Sequence, residues 1–168
     1  MLTHFVINRI YPQSNLVPNP SFEQNVGCPT SNGQILLATP RVKVGGDGVI
    51  PYYNNCGALG FQAQSNHVGF QASRTGEGSA AITLLWGNHC ISFYAESNFI
   101  GTPLSNPLTN GLKYRVRFYL SLTDYHRYAS RNVGAYFSIG QPPDNTPYLL
   151  SLIPHVRYSG DFLNPLCY

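Results

Sequence analysis

Lys113-Tyr-Arg-Val-Arg-Phe-Tyr-Leu-Ser-Leu122 is the stretch that decides the fold. From Arg115 it alternates Arg/Val, Arg/Phe, Tyr/Leu and Ser/Leu, which puts Val116, Phe118, Leu120 and Leu122 on one face of a strand. Outward from it, the runs 34–38, 68–73, 80–86, 89–95, 132–139 and 154–158 read as further short strands bounded by Gly, Asn and Pro. Gly87-Asn88 between two of them is a tight-hairpin signal. Nowhere does a 3.6-residue apolar period persist, so the expectation is eight or so strands and no long helix. Short strands at this spacing suit a single β-sandwich of the jelly-roll kind.

Composition agrees. The chain has 168 residues, enough for one sizeable core, and only 10% are charged, while aromatics make up 13%. Ten basic residues face seven acids, a net charge of +3, and the basic residues are dispersed. No nucleic-acid partner is therefore expected. No apolar run approaches the roughly 18 residues of a membrane helix, so no membrane span is expected either. Residues 1–14 read as a lead-in without a clear period, and 15–168 as the sandwich domain. The opening lacks a basic region and an unbroken apolar stretch, so it does not read as a signal peptide.

The four cysteines, Cys28, Cys56, Cys90 and Cys167, allow three pairings, and their spacing selects none. Cys28 and Cys56 lie in turn-rich segments, where closing the loop between them would contribute about 3.5 kcal/mol. Four reduced thiols in a reducing compartment is the competing reading.

Asn15-Leu-Val-Pro-Asn-Pro-Ser-Phe-Glu23 resembles the opening of a jelly-roll module found in surface and secreted proteins of certain Gram-negative bacteria. Cys28-Pro, Pro51-Tyr-Tyr-Asn-Asn-Cys56, Gly69-Phe-Gln-Ala, Arg74-Thr-Gly-Glu-Gly78, the stretch 112–124 and the stretch 127–138 follow in the order of that family. These modules are similar to the galactose-binding-type sandwich of carbohydrate-binding modules. The resemblance implies a noncatalytic recognition or structural role, secreted or at the cell surface in association with the outer membrane. It implies a Cys28–Cys56 disulfide, and a structural calcium with Glu23 among its ligands. The family usually continues into further strands beyond the position of Tyr168, so the sandwich is expected to lack its last strands. A protein partner completing the sheet edge is one way to supply them.

Glycan recognition needs flat aromatic faces beside amide or guanidinium donors. The candidates are Tyr52, Tyr53 and Asn54 in the first loop region, and Tyr125, Arg127 and Tyr128 after the alternating strand. The expected partner is a polysaccharide or surface glycan. The alternative is a structural subunit of a surface assembly that contacts protein. Enzymatic readings find no footing: the seven acids stand in seven separate contexts, with no pair poised across a cleft and no Gly-x-Ser-x-Gly elbow.

Overall fold

The computed structural model describes residues 2–9, 14–44, 49–82, 85–86, 94–95, 99–125, 133–142 and 152–158. Among these the chain is all-β: ten strands and one 3-10 turn. In chain order they are β1 (Leu2–Arg9), the turn Ile35–Leu37, β2 (Val42–Lys43), β3 (Tyr52–Asn54), β4 (Gly78–Ala80), β5 (Leu85–Trp86), β6 (Tyr94–Ala95), β7 (Ile100–Gly101), β8 (Tyr114–Leu120), β9 (Val133–Ala135) and β10 (Val156–Tyr158). Four of them form an antiparallel sheet in the order β3-β4-β1-β8. The others pair as the antiparallel ribbons β2–β7, β5–β6 and β9–β10.

The alternation in β8 is realised as read. Arg115 and Arg117 are exposed, while Phe118 and Leu120 pack on the main core of Phe22, Ile35, Ala38, Ile50, Tyr52 and Ala80. A second apolar cluster forms around Tyr53, Ala63 and Ala81, with Phe61 and Val68 against it. Successive residues of a strand point to opposite faces. Tyr52 and Tyr53 thus enter different clusters, and β3 is buried on both sides.

Several local expectations change. Residues 2–9, read as a lead-in, form β1, which pairs with β8 from His4↔Tyr119 through Arg9↔Tyr114. The run 34–38 is a 3-10 turn, because Leu37 and Ala38 donate to carbonyls three residues back, Gln34 and Ile35. The run 68–73 forms no strand: the Asn66 side chain accepts from the Val68 N–H and Asp124 accepts from the Phe70 N–H. Leu85 and Trp86 pair with Ala95 and Tyr94, and the Gly87-Asn88 turn expected between these strands lies outside the described residues.

The two prolines of the 15–23 segment keep it out of the regular sheet. It is a turn-rich knot around the fully buried Phe22. Asn19, with φ 46°, donates to the Gln24 and Thr39 carbonyls at 2.7 and 2.6 Å and accepts from the Gln24 N–H at 2.9 Å. The Arg41 guanidinium donates to the Pro18 and Asn19 carbonyls and lies 4.5 Å from the centre of the Phe22 ring. Burial holds Arg41 down to about 10.

Cys28 and Cys56 form a disulfide, with their Cα atoms 5.3 Å apart. Such a bond fits an oxidising environment. Among the described residues no helix is long and apolar enough to cross a membrane.

Candidate functional site

Tyr52, Tyr53 and Asn54 are not surface groups, which corrects the expectation that they meet a ligand. Both tyrosines are completely buried and Asn54 is 5% exposed. The Tyr52 hydroxyl donates to the Phe22 carbonyl at 2.9 Å and accepts from Asn54 Nδ2 at 3.1 Å. Asn54 Oδ1 accepts from the Cys56 N–H, tying the core to the disulfide loop. The Tyr53 hydroxyl meets His67 Nε2 at 3.3 Å, and His67 Nδ1 lies 3.1 Å from the Gly60 carbonyl. A carbonyl only accepts, so Nδ1 carries a proton, and the neutral ring takes the Tyr53 hydroxyl proton at Nε2. Desolvation raises both tyrosines above their usual pKa.

Glu23 is committed to the backbone. Its two carboxylate oxygens accept the Glu77 and Gly78 N–H groups at 2.8 and 3.0 Å. Gly76, at φ +63°, leaves the room: a Cβ there would collide with this carboxylate. Calcium needs six to eight oxygen ligands. Here the donors are N–H groups, and among the described residues no group of three His, Cys, Asp or Glu could hold a metal ion. Glu23 acts as a clasp between the 19–23 knot and β4.

A second carboxylate clasp builds the candidate site. Asp124 Oδ2 accepts the Phe70 N–H at 2.6 Å, and the Tyr125 N–H donates to the Val68 carbonyl at 3.3 Å. Gly69 allows the approach, because a Cβ there would come within 2.8 Å of Asp124 Oδ2. The two stitched loops carry Phe70 and Tyr125 outward, 73% and 71% exposed. Next to them the chain segments 71–74 and 119–121 enclose an open cavity of about 230 Å³, lined by Gln71, Ala72, Arg74, Tyr119, Leu120 and Ser121. The Arg74 guanidinium stacks 3.6 Å from the centre of the Tyr119 ring. Arg117 Nη1 donates to the Tyr119 hydroxyl at 3.2 Å. That hydrogen bond and the nearby guanidinium charges hold Tyr119 below the ordinary tyrosine value.

Of the residues singled out from sequence, Tyr125 is thus on this surface, while Arg127 and Tyr128 lie outside the described residues. Phe70, Gln71, Arg74, Arg117 and Tyr119 escaped the sequence reading. The signal for two of them was the polar face of β8, where Arg117 and Tyr119 alternate with the core residues. Compared with family models, curated proteins and solved structures, the chain matches none.

Proposed function

We propose that the chain is a noncatalytic recognition module that binds polysaccharide or surface glycan on the Phe70–Tyr125 surface. The observation that carries this is a pair of exposed aromatic side chains on loops stitched together by Asp124. Sugar rings stack on flat apolar faces, and a pre-set platform loses little entropy on binding. A β-sandwich of the galactose-binding type is supported by a β3 strand with apolar clusters on both faces, and by the resemblance of the 15–23 motif. A secreted or surface location is supported by the Cys28–Cys56 disulfide. The test is affinity electrophoresis through embedded polysaccharides. Retardation that Tyr125→Ala or Phe70→Ala abolishes in a folded protein is expected; retardation indifferent to both variants would defeat this surface.

A second reading, a structural subunit of a surface assembly, draws on the β9–β10 ribbon. There Ile139, Ile153, Val156 and Tyr158 are exposed together with Tyr136. It commits to a second copy of the chain as the partner, and predicts a solution mass above 18.6 kDa that Ile153→Lys returns to the monomer value.

A further inference from the structure

We propose that the Cys28–Cys56 disulfide is a site of reversible exchange with low-molecular-weight thiols, opened and re-formed while the chain stays folded. The inference stands on the two disulfide loops and does not depend on the glycan reading.

Both cysteines are exposed, although each adjoins buried residues. Pro29, which follows Cys28, is completely buried, and Gly57, which follows Cys56, is buried too. Bonds that involve no sulfur hold the two loops together. The Ala58 N–H donates to the Pro29 carbonyl at 2.8 Å, joining one loop directly to the other. Asn54 fixes the turn at Cys56: its side chain accepts the Cys56 N–H at 3.1 Å and its carbonyl accepts the Gly57 N–H at 2.7 Å. Gly57 fits there for want of a Cβ, which would collide with the Phe61 carbonyl. On the Cys28 side, Gln34 Oε1 accepts the Thr30 and Ser31 N–H groups at 2.7 and 3.0 Å. A crosslink stabilises mainly by restricting the unfolded chain, so opening it leaves these native bonds in place. The loops then keep the two thiols close to each other, and closure is intramolecular.

Exchange requires a thiolate to reach a sulfur, and exposure at both cysteines supplies the access. The segments 24–40 and 49–73, which carry the two cysteines, contain no Asp, Glu, Lys or Arg. No carboxylate within them repels an incoming thiolate. In the first step the thiolate of a small thiol bonds to one sulfur and the Cys28–Cys56 bond breaks. The other cysteine leaves as a thiolate and takes a proton. A second small thiol then attacks the mixed disulfide, frees the first cysteine and departs joined to its partner as a small disulfide. Two electrons and two protons pass to the cysteines, and the small disulfide reverses both steps.

The experiment follows reduction of the full chain by millimolar glutathione and by dithiothreitol, in native buffer and in denaturant. Acid quenching, alkylation and peptide mapping read Cys28 and Cys56 separately from Cys90 and Cys167. The expected native rate lies within roughly a hundredfold of the rate in denaturant, because no unfolding has to precede attack, whereas a bond that opens only on unfolding is slowed by about 10³ or more. The reduced protein should keep its native amide NMR spectrum outside 26–34 and 54–61, and glutathione disulfide should restore the bond. Cys28→Ser and Cys56→Ser should each take up glutathione at the remaining cysteine. A native rate more than roughly a hundredfold below the denatured one overturns the inference, as does a reduced chain that loses its native spectrum. Folded variants that stay unmodified overturn it too. The first two readings use the unaltered protein, so they stand even if a variant folds poorly.

Discussion

Tyr52 and Tyr53 on β3, and Tyr119 and Tyr125 at the far end of β8, are the same side chain in opposite situations. The β3 pair is sealed, each hydroxyl bonded inside the protein, and each ring fills a different apolar cluster. The other pair faces outward, one flanked by guanidiniums and one on a stitched loop. The same difference separates the two acidic clasps. Glu23 uses both oxygens to lock a knot against β4, whereas Asp124 holds one N–H and so joins two loops that present aromatics. In one region the polar groups are consumed by the fold; in the other the fold positions them and leaves donors over.

The sharpest way to break this contrast is truncation. Tyr53→Ala should cost about 3–5 kcal/mol in denaturant unfolding, as expected for a large buried ring. Tyr125→Ala should stay within about 0.5 kcal/mol. Similar values for the two would erase the distinction. Next in size, reduction of Cys28–Cys56 should lower stability by about 3.5 kcal/mol, read as a shift in the unfolding midpoint with and without reductant.

Alkaline titration sharpens the comparison further. Because Tyr52 and Tyr53 are raised in the folded state, the unfolded chain gives up those protons first. Below the unfolded value of about 10, stability is therefore unaffected by them, and it falls as pH climbs through and above 10. Tyr53→Phe should flatten that decline. Tyr119, held low by Arg117, should ionise before the other pair, and Tyr119→Phe should remove the earliest tyrosinate absorbance together with the gain in stability that a lowered tyrosine contributes as pH approaches 10. The smallest effect belongs to calcium. Chelator should leave the melting temperature unchanged, since Glu23 is bonded to backbone N–H groups, whereas Glu23→Gln should cost about 1–3 kcal/mol by weakening them.

The strand β8 was legible because period-2 alternation over seven residues has no competing explanation. The short runs were not. A five-residue stretch at 34–38 with four apolar residues reads equally as strand or turn, and i to i+3 bonds made it a turn. At 68–73 the Asn66 side chain took the Val68 N–H and Asp124 took that of Phe70, backbone groups that a strand would have used. The tyrosines were harder still, because Tyr-Tyr-Asn beside a Cys in a turn-rich region has the composition of a binding loop. Nothing local says that β4 lies beside it and that apolar residues cover both faces.

By itself, the sequence determined the all-β class, the absence of any long apolar helix segment, and the inward face of β8, since each follows from composition or short-range periodicity. Which tyrosines are core and which are surface was decided only by the tertiary structure. So was the place of residues 2–9 in the sheet, and the meeting of Arg74 with Tyr119. Those depend on pairings between residues tens of positions apart, and burial is a property of what the rest of the chain brings to a side chain.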